Sequence, residues 1–363
     1  IANCTNSDNQ FKYVGKSFSF NIKLETATKT KKNLTRKTSA AGTITTLYNN
    51  ATKTPVTNNS ITYQYDTTHS LMKDVGGNIR YYGASPNNYI YFNCSNYSNQ
   101  SSSTCETWRI IGVFDGKLKL IRNKSISGYS WDNKSKSTGA EGNYGKNDWT
   151  DARLMKLLNP GYESETTGGS LYYNAKSGNC YAGSNNATRT CNFTSSGIKN
   201  AITRNMISDN NYSLLGWDSS EVYSDQIYEY ERTAGEVYSG RPTSWTGKIA
   251  LPYPSDYGYA ADLSKCSQNL YNYSNSTCTT NNWIKSIVSN DGSGIGWFLI
   301  PFTGTPMGVW IVNSNGMIMP TGGPQSPTLA FAALEVAPVL YLNSNLSLGS
   351  GKGTSTEPYK LVV

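Results

Sequence analysis

Residues 296–320 read GWFLIPFTGTPMGVWIVNSNGMIMP, and the way this stretch pairs decides the fold of the C-terminal half. Residues 296–300 are a short apolar run that enters a Pro/Gly/Thr loop at residues 301–306. Residues 308–313 and 317–320 flank Ser314-Asn315-Gly316, the composition of a hairpin loop. Two registers fit. A two-residue Asn315-Gly316 turn sets Val312 and Met319 on one face. A three-residue loop with Gly316 left-handed pairs Val312 with Ile318 and Ile311 with Met319. The second is preferred because it gathers Trp310, Val312 and Ile318 as one core face. Val309, Ile311, Asn313, Met317 and Met319 then point the other way, outward. Residues 336–342, VAPVLYL, are expected to close the same sheet.

The quoted stretch sits inside a longer anomaly. Residues 292–334 contain no Asp, Glu, Lys, Arg or His, although a chain that is 15% charged would place about six charges there. Gly, Pro, Asn, Ser and Thr recur throughout, so the segment is not a membrane span. Three of the six methionines (Met307, Met317, Met319) lie in it, with Trp297, Phe302 and Trp310. Such a segment is either buried core or a surface built to touch something. Trp297 and Trp310 read as core.

Upstream, the texture is that of strands, turns and ordered loops. There are 27 Tyr, and Asn, Ser, Thr and Gly fill much of the rest, a mix that disfavours long helices. Residues 17–25 and 60–66 alternate as half-buried strands, and residues 40–47 suit a short helix. Residues 78–82, 89–93, 108–114 and 117–122 are strand candidates, with Asp115-Gly116 a tight hairpin turn between the last two. Residues 148–158 read as a helix capped by Asp148 or Thr150 and stopped by Asn159-Pro160-Gly161. Residues 196–207 and 220–231 are weaker helices, and residues 283–288 are a short helix or strand. The expected class is α+β, with mixed antiparallel sheets and a few helices. A small basic, β-rich N-terminal region or stalk at residues 1–75 would precede a ligand-binding domain at 76–363, with the turn at 74–77 as the boundary.

Charge and cysteine usage bound the setting. The net charge is +8, of which +6 falls in residues 1–75, around Lys29, Lys31, Lys32, Arg36 and Lys37. A basic pole suits an anionic surface or a solvated face, and no nucleic-acid module accompanies it. Cys94 and Cys105, Cys180 and Cys191, and Cys266 and Cys278 lie 11, 11 and 12 apart, each pair in a turn-like, polar segment. None has the spacing of a zinc or redox motif. Three local disulfides are expected, and with them an extracellular or cell-surface location. Cys4 is left over. The chain starts at Ile1 without a leader or sortase signal and reads as a mature or trimmed product.

Residue types argue against catalysis. His69 is the one histidine, so a His-based zinc site or a conventional Ser–His or Cys–His pair lacks parts. Asp218, Glu221 and Asp225 could flank a glycosidic bond, but they read better as a solvated, helix-capping acidic cluster. No calcium-loop motif and no phosphate cradle is present. No enzyme activity, cofactor or metal is expected.

Several ordered motifs are similar to those of a known family: NIRYYGASPNN at residues 78–88, TWRIIG at 107–112, WTDARLMKLLNPG at 149–161, WTGKIA at 245–250, YPSDYG at 253–258, WFLIP at 297–301, WIVNSNG at 310–316 and VAPVLYL at 336–342. They resemble secreted proteins of gut-dwelling Gram-positive bacteria. The C-terminal domain of that family looks like the C-type-lectin fold used by variable proteins of diversity-generating retroelements. The resemblance covers about residues 76–363. It implies a surface adhesin or receptor-binding protein whose diversified positions cluster in the last strands and loops. By position these are Phe302, Thr303, Thr305, Met307, Ile311, Asn313, Met317, Met319 and Thr321. Relatives often carry Asn, Tyr or Ser where this chain has Met and Pro, and some carry a prepilin-like N-terminus that is not seen here. The ligand would be a protein or glycan on another cell or host surface, with no nucleic acid and no direct membrane span. A filament or pilus subunit assembling through its N-terminal region, and a carbohydrate-active enzyme, are the alternatives.

Overall fold

The computed structural model describes residues 38–134, 141–183, 187–218, 222–273, 276–289, 294–321 and 329–363. The expected strand at 17–25, the basic cluster at 29–37 and Cys4 lie outside them. Residues Thr38–Val363 form one compact unit. Its class is α+β, with mostly antiparallel sheets and short helices.

A long antiparallel sheet forms the body. Its order is Thr54–Asn58, Ile61–Asp66, Leu71–Lys73, Ile79–Tyr81, Glu106–Phe114, Lys117–Arg122, Val339–Tyr341 and Ile249–Ala250, with Tyr89–Phe92 also pairing to Glu106–Phe114. Asp115 (φ 47°) and Gly116 (φ 72°) make the expected two-residue turn, with Phe114 opposite Lys117. The ladder is irregular between Ile110 and Gly112. A Cβ at Gly112 would lie 2.1 Å from the Ile79 carbonyl oxygen, so a side chain would separate that strand from its neighbour. The turn at 74–77 is not a break between domains. It is a hairpin turn joining Leu71–Lys73 to Ile79–Tyr81 within one sheet. The helix Ala40–Asn50 belongs to the same body: Ser39 caps it by accepting from the Gly42 N–H, and Ala40, Ala41, Ile44 and Tyr48 are its buried face.

The second sheet has the order Ile318–Pro320, Val309–Val312, Gly296–Pro301, Ala333–Glu335 and Gly128–Ser130. Its hairpin takes the preferred register: Val312 opposes Ile318, Ile311 opposes Met319, and Gly316 is left-handed at φ 87°. Three expectations need correction. Val339–Tyr341 does not close this sheet; it pairs with Lys117–Arg122 and Ile249–Ala250 in the long one. Val309 and Ile311 do not face outward, because all four residues of Val309–Val312 are buried. The strand lies inside the sheet, and an unbroken apolar run marks a strand covered on both faces, whereas alternation marks a half-exposed one. The segment expected as a helix over 148–158 is helical only at Arg153–Leu158. Asp148 instead accepts from the Thr150 N–H and hydroxyl in the turn before it.

Three disulfides join the expected partners, Cys94–Cys105, Cys180–Cys191 and Cys266–Cys278. Among the described residues no helix is long and apolar enough to cross a membrane.

Candidate functional site

The nine residues picked from sequence fall into three groups. Phe302, Ile311 and Thr321 are interior side chains. Phe302 packs its ring edge-on to Trp310 at 5.7 Å. Thr321 closes the strand end, donating its N–H to the Val309 carbonyl and accepting the Val309 N–H on its hydroxyl. These three are therefore corrected from contact residues to supports. Asn313, Met317 and Met319 sit half-exposed at or near the hairpin tip. Asn313 is also structural, since its Oδ1 accepts from the N–H groups of Asn315 and Met317 and shapes the loop. Thr303, Thr305 and Met307 are half-exposed on the loop between the first two strands. The hairpin's short strands separate the tip from that loop, so the set is two patches on one element.

The loop at 302–308 is held by its backbone. Asn147, buried, donates from Nδ2 to the carbonyls of Phe302, Thr305 and Gly308 at 3.0, 2.8 and 3.0 Å. Its own N–H donates to the Pro306 carbonyl. Arg241 orients the amide by donating to Asn147 Oδ1 at 3.1 Å and also holds the Pro306 carbonyl. Asp132 steadies the approach to Asn147, accepting the N–H of Lys146 at 2.8 Å and that of Arg153 at 3.4 Å. Burial pushes the Asp132 carboxyl up to about 6, and those N–H donations only partly oppose it. Gly308 is required by crowding: a Cβ there would lie 2.7 Å from both Thr305 Oγ1 and the Thr321 carbonyl oxygen.

Beside the loop lies a cleft of about 260 Å³ lined by Trp217, Asp218, Tyr230, Glu236 and Thr303, among others. Gly216 and Glu236 exchange backbone hydrogen bonds at its rim. Trp217 stacks on Trp310 at 3.7 Å, nearly parallel, and Tyr230 lies parallel to Trp217 at 6.4 Å. The Trp310 indole donates to the Trp217 carbonyl, which also accepts the Thr303 N–H. The buried Trp217 Nε1 has no hydrogen-bond partner. A polar cleft with aromatic walls and two carboxylates can accept hydroxyls and stack a ring face.

No protein-family model, curated protein or solved structure matches the chain.

Other candidates resolve differently. A larger depression of about 570 Å³ lies among Tyr91, Gln100, Lys352, Glu357 and Lys360 and holds none of the sequence-picked residues. Two members of the acidic trio lie within the described residues. Asp225 is buried and accepts from Asn59 Nδ2 with both oxygens, Asp218 is exposed at the cleft, and Glu221 lies outside the described residues. His69 Nδ1 lies 2.7 Å from the buried Asp66 carboxylate, which also accepts the N–H groups of Thr68 and His69 and so caps that turn. Among the described residues no group of three or more His, Cys, Asp or Glu could hold a metal. Sequence reasoning missed Asn147, Arg241, Trp217, Tyr230 and Glu236. They come from two separate stretches, Asn147 from one and the rest from 217–241, and a buried Asn that serves carbonyls leaves no periodic trace.

Proposed function

We propose that the protein is an extracellular adhesin or receptor-binding protein that presents the loop at 302–308, with the neighbouring cleft, to a ligand on another cell or host surface. One observation carries this reading. The hydrogen bonds from Asn147 and Arg241 to the loop all end on main-chain carbonyls. Such a clamp fixes the path of the loop while leaving Thr303, Thr305 and Met307 free to be other residues. A binding surface needs that combination, a rigid frame with adaptable side chains. The resemblance to the C-type-lectin-like variable proteins implies diversified positions that include Phe302, Thr303, Thr305 and Met307 of this loop. Three disulfides suit an oxidising, extracytoplasmic setting.

The cleft favours a glycan over a flat protein surface as the ligand class. Its volume is of the order of one sugar ring, and Tyr230, Asp218 and Glu236 line it. Glycan and protein arrays probed with the purified chain test the proposal. Thr303→Trp and Met307→Asp are expected to abolish any captured interaction with the thermal transition unchanged. Retention of binding by both variants would refute the assignment of the loop.

A further inference from the structure

The most unusual chemistry lies away from the loop, where six charged side chains meet inside the body. Asp256, Lys119, Asp74 and Glu231 have fully buried side chains, Arg80 is 1% exposed and Arg232 is 24% exposed. Lys119 projects from a central strand of the long sheet, opposite Tyr341. Asp256 stands in the first turn of the helix Pro254–Ala260. Lys119 Nζ lies 2.5 Å from Asp256 Oδ2. The other carboxylate oxygen, Oδ1, accepts from Arg80 Nη1 at 2.9 Å. The Tyr253 N–H donates to Oδ2 at 2.9 Å.

Lys119 is poorly provided for as an ammonium. It has three N–H donors and one hydrogen-bond acceptor, Asp256. The rest of its surroundings are the rings of Phe114, Tyr253 and Tyr341, at 4.7–5.5 Å from Nζ. Burial pushes its pKa down to about 8, which favours the neutral, nucleophilic amine. The other charges are already matched in pairs, Arg80 with Asp74 and Arg232 with Glu231.

We propose that Lys119 and Asp256 condense to form an intramolecular amide cross-link. The amine nitrogen bonds to the Asp256 carboxyl carbon, and the bond from that carbon to Oδ2 breaks. Oδ2 leaves as water, carrying two of the three ammonium protons, and the third stays on the amide nitrogen. Ammonium plus carboxylate therefore gives amide plus water, with no oxidant or co-reactant. Oδ1 remains as the amide carbonyl, and the Arg80 N–H that holds it stabilises negative charge building there during attack. Glu231 Oε1 accepts the N–H of Ser255, the residue before Asp256, at 2.7 Å and so fixes the turn that carries Asp256. The product amide needs one donor site and one acceptor site instead of a buried charge pair, and the remaining cluster is two matched ion pairs.

The test is the mass of the full chain, fully reduced and denatured. The expected mass is lower than that of the sequence by one water. Proteolysis should give a branched peptide joining Lys119 to Asp256, with trypsin unable to cleave after Lys119. Lys119→Met should restore the unshifted sequence mass for that variant. A wild-type chain of unshifted mass would overturn the proposal, because the pair would then be an ordinary buried ion pair. Loss of water mapped to a linear peptide would overturn it equally. If Lys119→Met does not fold, the wild-type mass and the branched peptide still decide.

Discussion

Replacing Asn147 by alanine removes the side-chain part of the clamp and the Arg241 bond to Asn147 Oδ1, while both hydrogen bonds to the Pro306 carbonyl remain. The amide has two N–H donors and serves three carbonyls, at 3.0, 2.8 and 3.0 Å. A hydrogen bond contributes about 1 kcal/mol net, and a buried acceptor left bare costs roughly 1–3 kcal/mol. The Gly308 carbonyl keeps a second partner, the Phe302 N–H. The loss is therefore about two bonds, with the Phe302 and Thr305 carbonyls left without that donor, roughly 3–4 kcal/mol in total. Urea unfolding of the oxidised protein measures it, and hydrogen exchange across residues 302–308 should show faster amide exchange confined to the loop. The control is Thr305→Val, which removes a buried hydroxyl that has no hydrogen-bond partner. It should leave stability within about 0.5 kcal/mol of wild type or raise it. If Asn147→Ala cost less than about 0.5 kcal/mol and left loop exchange unchanged, the clamp would not be what fixes the loop.

Three further expectations follow from burial and charge. Ile311→Asp buries an unpaired carboxylate and should cost more than about 4 kcal/mol or prevent folding, whereas Met317→Asp, half-exposed, should cost under about 1 kcal/mol; equal losses by thermal denaturation would contradict the placement of the two residues. The Asp132 carboxyl is held up at about 6, above an unfolded value of about 3.9. The folded state thus binds this proton more tightly, and stability gains as pH falls from above 6 toward 4, by roughly 2–3 kcal/mol from this group. Asp132→Asn should remove that increment, and parallel pH–stability curves for the two proteins would refute it. Each disulfide closes a short loop and is worth roughly 3 kcal/mol in the chain-entropy picture. Reduction should lower the urea midpoint markedly, and an unchanged midpoint would mean the unfolded chain is not constrained by these loops.

Local chemistry was readable from the chain and long-range pairing was not. Asp115-Gly116 and Gly316 announce their turns because few residues accept a positive φ. The cysteines announce their partners because each pair is close in sequence and set in a polar loop. Residues 336–342 show only that a strand is buried. Its neighbours, Lys117–Arg122 and Ile249–Ala250, lie far away along the chain and leave no mark on it. Ile311 was misplaced because the period of two was imposed on a run, Val309–Val312, that has no period. Asn147 was invisible for a different reason: its partners are carbonyls, which every residue has.

The short span of the three bridges bears on how the protein matures. From Cys105 the next thiol along the chain after its own partner is Cys180, 75 residues away, against 11 to Cys94. With encounter probability falling as the three-halves power of separation, the native partner is favoured roughly twentyfold over that nearest competitor and about sixfold over all the other thiols together, even in an unstructured chain. Correct oxidation can therefore precede folding, and the native pairing should be the commonest isomer even without a dedicated isomerase. A host that exports this chain needs to supply an oxidant and little further help.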